Sequence, residues 1–223
     1  MNPTMNGARM VDGFEIQREQ MIAGLRGHYG IRDEKVLAAM SSVPRHYFVP
    51  GALQAKAYGD HALPISGSQT ISQPYIVAKM TELLELKPTD KVLEIGAGSG
   101  YQTAVLARLA RAVYSIERIP ELAAELQNRM NGLGIGNVSF RTGDGTLGWE
   151  LYSPYDAILI AAGGPDVPEP LLKQLKTGGK LVIPIGKDAT SQRLVRYTRT
   201  EKDFKAEDFG ACSFVPLIGE HGW

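Results

Sequence analysis

Glu94-Ile95-Gly96-Ala97-Gly98-Ser99-Gly100 follows the apolar pair Val92-Leu93 and precedes a segment, from Tyr101 onward, whose apolar residues recur at helical spacing. The stretch reads as a strand that turns on glycines into a helix. Glycine takes the left-handed backbone that a tight turn needs and lets a ligand come close to the main chain. In doubly wound sheets, such a turn at the carboxyl end of a strand is where ligands bind.

The alternation continues on both sides of this turn. Downstream, the sequence predicts helices over 101–109, 120–133 and 170–175, with strands over 112–117, 138–142, 155–161, 180–185, 193–198 and 211–217. Upstream, apolar spacing predicts helices over 14–25 and 33–43, the second capped by Asp33. A further helix opens at Pro74, with Ser72 in the cap position and Ile76, Val77, Met80, Leu83 and Leu84 on one face. Between Pro44 and Gln73 the chain is rich in Pro, Gly, Ser and His without periodicity, and connections of that length are usually functional or disordered. Residues 1–13 lack apolar periodicity and are expected to form a mobile leader. That leaves one domain over 14–223, with N-terminal helices and a substrate loop in 14–74 and a sheet core in 75–223. The fold class is α/β: a doubly wound, mostly parallel sheet with additional N-terminal helices and antiparallel strands at its end.

Composition narrows the function. The 223 residues carry 24 Lys plus Arg against 24 Asp plus Glu, so no basic field gathers phosphates and nucleic acid is not an expected partner. No apolar run approaches the ~20 residues of a membrane helix, and no secretory signal pattern is present, which predicts a cytoplasmic protein without a membrane partner. Cys212 is the single cysteine; it excludes an internal disulfide and, beside Phe214 and Val215, reads as a buried strand residue. The histidines at 28, 46, 61 and 221 lack metal-ligand spacing, so no metal is expected.

Rival motifs fail on particular residues. A dinucleotide fingerprint needs Gly or Ala where Tyr101 stands. A hydrolase elbow around Ser99 needs glycines where Ala97 and Tyr101 stand. Gly179-Lys180 is followed by Leu181 rather than the hydroxyl residue of a phosphate loop, and Gln174 occupies the place of its earlier glycine. Two strand-end acids remain. Glu117 closes Tyr114-Ser115-Ile116-Glu117, where a carboxylate accepts the hydroxyl hydrogens of a ribose, and Asp144 in Gly143-Asp144-Gly145 is placed to accept from an adenine amino group.

Glu94 with its Glu-x-Gly-x-Gly-x-Gly spacing resembles the first motif of class I methyltransferases, which implies a Rossmann-like methyltransferase fold and S-adenosyl-L-methionine as cofactor. Beyond that motif, several segments resemble the protein-L-isoaspartate O-methyltransferase family. They are Val43-Pro44-Arg45 with Phe48-Val49-Pro50, Leu63-Pro64-Ile65, Gln69-Thr70-Ile71-Ser72-Gln73-Pro74, Val92 to Gln102, Ser115-Ile116-Glu117-Arg118, Tyr155-Asp156-Ala157-Ile158, and Phe214-Val215-Pro216-Leu217. The resemblance implies that Thr70, Ile71 and Ser72 contact cofactor and substrate, with Ser72 matching the family's active-site serine. It also implies that Glu94, Gly96, Gly98, Glu117, Asp144 and Gly145 hold cofactor, and that the last strands leave the usual methyltransferase order. Three departures are visible: family members often have Gly at Ser68 and Thr at Ala97, and the leader is longer than in bacterial relatives.

The implied substrate is the free α-carboxylate of an isoaspartyl residue in a damaged protein or peptide. With a reference pKa of ~3–4 that group is ionised at neutral pH. It is already a nucleophile, so methyl transfer needs positioning and partial desolvation more than a general base. The ester then favours closure to a succinimide, which reopens in part as normal aspartate. A class I methyltransferase with another small-molecule or protein substrate, and a non-catalytic nucleotide-binding module, are the alternatives.

Overall fold

The computed structural model describes residues 13–188 and 191–223. The leader expected at 1–13 lies, apart from Gly13, outside the described residues. Helices α1 (Glu15–Gly27) and α2 (Glu34–Ser42) come first, followed by short 3-10 turns at Arg45–Phe48 and Gly51–Lys56. A small hairpin, β1 (Leu63–Pro64) and β2 (Thr70–Ile71), leads to α3 (Pro74–Leu84). The core follows as β3 (Lys91–Ile95), α4 (Tyr101–Leu109), β4 (Ala112–Glu117), α5 (Pro120–Gly132), β5 (Val138–Thr142), β6 (Tyr155–Ile160), α6 (Glu169–Gln174), β7 (Leu175–Ile185), β8 (Gln192–Arg199) and β9 (Phe204–Cys212).

The main sheet has the order β5-β4-β3-β6-β7-β8-β9. Its first five strands are parallel neighbours, and β8 and β9 are added as an antiparallel meander. The chain winds outward from β3 through β4 to β5, then returns to the other side of β3 with β6. The direction of winding reverses there, so the crevice beyond the carboxyl ends of β3 and β6 is the ligand site of this topology.

The central strands β3, β4 and β6 and the second half of β7 are largely apolar because both faces are covered, and their period of two assigns each residue to a face. Val92, Val113, Ala157, Leu159 and Val182 pack with the buried residues of α1–α4. Leu93, Ile116, Ile158, Ile160, Leu181 and Ile183 pack on the opposite side with Leu171 of α6 and Tyr155. Asp33 caps α2 as its sequence position predicts, its Oδ1 accepting from the Lys35 N–H at 2.9 Å.

The C-terminal part of the sheet differs from the sequence reading, and β7 begins at Leu175 rather than 180. The final strand is β9, over Phe204–Cys212, not 211–217. Its Lys205, Glu207 and Asp208 make it look like a loop, yet charged residues suit an edge strand, and Arg196 and Arg193 on β8 pair with Glu207 and Asp208. Cys212 accordingly ends β9 half-buried. Residues 213–218 leave the ladder; the Gln192 side chain at the start of β8 bonds both the N–H and the carbonyl of Phe214, and Gly163, after β6, donates to the Val215 carbonyl and accepts from the Leu217 N–H.

Candidate active site

A crevice opens at the switch point, with about 1050 Å³ of space counting its mouth. The glycine turn floors it, together with Ile95, Ile116, Glu117 and Gly145 from the strand ends and Ala161 and Ala162 after β6. Gln69, Thr70, Ile71 and Ser72 close one side with Val77 and Met80 of α3, and Val215, Pro216, Leu217 and Ile218 close another.

Gly96, Gly98 and Gly100 have φ of 86°, 53° and 88°, so the turn requires three left-handed residues within five positions. Glu117 fastens this turn: Oε2 accepts from the Gly98 N–H and Oε1 from the Ile119 N–H, each at 2.8 Å. One lone pair on each oxygen stays available to ligand hydroxyls. Gly145 serves packing: a Cβ there would lie 2.3 Å from Cγ2 of Ile95, so only glycine lets the loop after β5 meet the end of β3.

Two predicted ligands do not face the crevice. Glu94 is wholly buried beneath the turn, where Oε2 accepts from the hydroxyls of Thr103 at 2.5 Å and Ser115 at 2.6 Å, tying β3 to α4 and β4. Burial pushes its carboxyl up to about 7, against those two hydrogen bonds. Asp144 is likewise turned away. Its Oδ1 accepts from the Thr146 N–H and hydroxyl, and its Oδ2 from the Glu220 N–H at 2.8 Å. Burial raises its pKa, but the N–H groups of Glu220 and Thr146 outweigh that and hold it below the usual range. Both acids have backbone or hydroxyl partners at hand, and internal hydrogen bonds claim them.

Ser72 is not a helix cap. Gln73 holds that position without a side-chain bond, and Pro74 is the first helical residue. The orphan N–H of Tyr75 is taken instead by Oδ1 of Asp60 at 3.0 Å, while Oδ2 accepts from Gln73 and from the Tyr29 hydroxyl. Because a distant carboxylate caps α3, the Ser72 hydroxyl has no hydrogen-bond partner among the described residues and stands at the crevice wall. The structure thus brings Thr70, Ile71, Ser72, Gly96, Gly98, Glu117 and Gly145 together and leaves Glu94 and Asp144 outside. Sequence reasoning missed the wall formed by 215–218. Its signal was Pro216, which cannot donate to a ladder.

The chain matches the family model described as Protein-L-isoaspartate(D-aspartate) O-methyltransferase over residues 16–222. It belongs to that family. A Pelobacter propionicus protein named protein-L-isoaspartate O-methyltransferase 2 is 54% identical over 210 residues, covering 94% of this chain and 93% of its own. A Syntrophus aciditrophicus protein-L-isoaspartate O-methyltransferase is 53% identical, covering 96% and 99%. Among solved structures, a protein-L-isoaspartate O-methyltransferase superposes with a TM-score of 0.83 at 31% identity, covering 92% of this chain and 67% of that one. A Plasmodium falciparum structure assigned to the same activity, in complex with S-adenosyl-L-homocysteine, superposes with a TM-score of 0.78 at 25% identity, covering 90% and 98%. Family membership and fold agree with the resemblance in the motifs.

Proposed function

We infer that the chain is an S-adenosylmethionine-dependent protein-L-isoaspartate O-methyltransferase acting on the free α-carboxylate of isoaspartyl residues in proteins and peptides. The observation that carries this reading is the Ser72 hydroxyl, unengaged at the wall of a switch-point crevice in a chain of this family. Thr70, Ile71, Ser72, Gly96, Gly98, Glu117 and Gly145 are the proposed site residues, Ser72 the one that touches the reacting carboxylate.

The crevice suits an adenosyl ligand. It offers a carboxylate for hydroxyl hydrogens and left-handed glycines for close approach at its floor, and apolar Ile95, Ile116, Ile119 and Leu217 in its lining for a flat base. Among the described residues Arg118 is the only cation in the lining. When bound, S-adenosylmethionine supplies an electrophilic methyl group. Glu117 orients by accepting hydroxyl hydrogens, the loop 69–72 and residues 215–218 exclude water, and Ser72 donates to the acceptor carboxylate. Nothing need remove a proton, since the carboxylate is already ionised. A cytoplasmic location and no nucleic-acid partner belong to the same proposal, supported by balanced charge, a single cysteine and the absence, among the described residues, of any helix long and apolar enough to cross a membrane.

Methyl transfer to an isoaspartyl peptide and to its normal aspartyl isomer tests the reading; the first should be strongly preferred. Equal methylation of the two would instead support a methyltransferase with another acceptor. Because Ser72 does not cap α3, Ser72→Ala should cost less than about 0.5 kcal/mol of stability, as surface changes do. Turnover should nevertheless fall by up to about 100-fold, the cost of misplacing reacting groups by about 1 Å. Turnover within twofold of wild type would remove Ser72 from the reaction.

A further inference from the structure

We propose that Arg45 is a positioning residue for methyl transfer, a buried cation that clamps both ends of the loop 57–72 and so sets Ser72 against the crevice. The proposal rests on the activity inferred above and adds a residue to it.

Arg45 has no solvent exposure. Its Nε donates to the Ala57 carbonyl and its Nη2 to the Ser72 carbonyl, each at 2.7 Å. Those two carbonyls are fifteen positions apart and bracket the segment that carries Asp60, the β1–β2 hairpin and Thr70. The guanidinium lies over the ring of Tyr101, 4.9 Å from Cζ to its centre, and Tyr101 itself lines the crevice. Nη1 of Arg45 and the Tyr101 hydroxyl are both buried without a partner. Burial lowers the Arg45 pKa to about 10, so the group stays charged at neutral pH.

Among the described residues no carboxylate bonds to Arg45, so two carbonyls and a ring face are all that offset the desolvation of a fully buried charge. What an apolar side chain cannot do is bond two carbonyls at once. Arginine's planar fork spans them, while lysine's single ammonium is a point donor. The clamp fixes the Ser72 main chain from behind, and Asp60 fixes the next turn through Tyr75 and Gln73, so the Ser72 hydroxyl is held from both sides without being used by either.

Arg45→Lys and Arg45→Met test this in the full chain, with Leu171→Ala in α6 as a destabilised control on the opposite face of the sheet. Amide hydrogen exchange over 57–73 reads the clamp without any methyl transfer. It should accelerate about tenfold or more in Arg45→Lys while amides of β3 and β6 are unchanged, as for a locally opened segment. At saturating cofactor and permissive temperature, kcat for an isoaspartyl peptide should fall about thirtyfold or more, with affinity for S-adenosylhomocysteine within about threefold of wild type. Loop exchange equal to wild type overturns the proposal, as does a fall in kcat no greater than that of Leu171→Ala. An Arg45→Lys protein that does not fold also overturns it, since the residue is then needed for folding itself. A wild-type protein that ignores isoaspartyl peptide would refute the inferred activity, whereas the exchange comparison would still decide whether the clamp exists.

Discussion

At Ser68 the turn between β1 and β2 places an L side chain at φ 55°, beside Gly67 at 66°. Two consecutive left-handed residues are what the tightest hairpin turns demand, and glycine takes that backbone without strain. The left-handed conformation costs an L residue ~1–2 kcal/mol, and glycine gives back part of that gain as extra freedom in the unfolded chain. Ser68→Gly should therefore stabilise the protein by about 0.5–1 kcal/mol; a urea midpoint that stays put or falls would contradict the reading. Glu94 makes a prediction about pH. Its folded pKa of about 7 lies above the unfolded value of ~4.3, so the folded state holds the proton more tightly. The corresponding stability is fully present below the unfolded value and lost as pH rises through the folded one. Denaturation of wild type and Glu94→Gln across this range should give a stability difference that turns against wild type between pH ~4.3 and about 7 and is level on either side. A pH-independent difference would mean that the carboxyl titrates normally.

The element that most affects the crevice is the C-terminal segment. Residues 215–218 form a wall outside the strand ladder; its anchors are Gly163, the Gln192 side chain of β8 on Phe214, Trp223 on the Leu217 and Gly163 carbonyls, and Asp144 on the Glu220 N–H. Asp144, taken from sequence as an adenine ligand, acts in the structure as a tether. Asp144→Ala should weaken S-adenosylhomocysteine binding by ~1–3 kcal/mol, the order of hydrogen bonds to a charged group, and should also expose the last residues to proteolysis. Weaker binding with the terminus still protected would mean that Asp144 meets the ligand directly. Because the folded state depresses its pKa, the contribution of Asp144 is present at neutral pH and is lost only as pH falls through that depressed value.

For the whole molecule, the two hydrophobic clusters are opposite faces of one sheet, so neither survives without the other. We propose that 14–223 folds as a single unit, with the N-terminal helices in the same core as the strands. Leu159→Ala faces α1–α4 and Ile158→Ala faces α6, yet each should lower the same transition, by about 2–5 kcal/mol as for other buried truncations. Far-ultraviolet and near-ultraviolet signals should coincide throughout. Two separated transitions in either variant would divide the chain into independent units.

What the sequence determined by itself were the properties set by near neighbours. The periods of 3.6 and 2 located α4, α5, β3, β4 and β5, the Asp33 cap of α2 follows from two residues, and the glycine turn placed the site at the end of β3. Only the tertiary structure decided which polar groups are free. Glu94 and Asp144 looked like ligands because they sit at strand ends, but Thr103 and Ser115 on the next helix and strand bond Oε2 of Glu94, and Glu220 comes from the far end of the chain to Asp144. Ser72 looked like a cap for the opposite reason, and Asp60, twelve positions earlier, takes that role and leaves its hydroxyl free. The strand-like 213–217 became a wall because β9 had already taken the sheet edge. A carboxylate or hydroxyl binds whichever donor or acceptor the fold brings within about 3 Å, and that distance is a property of the assembled chain rather than of any window along it.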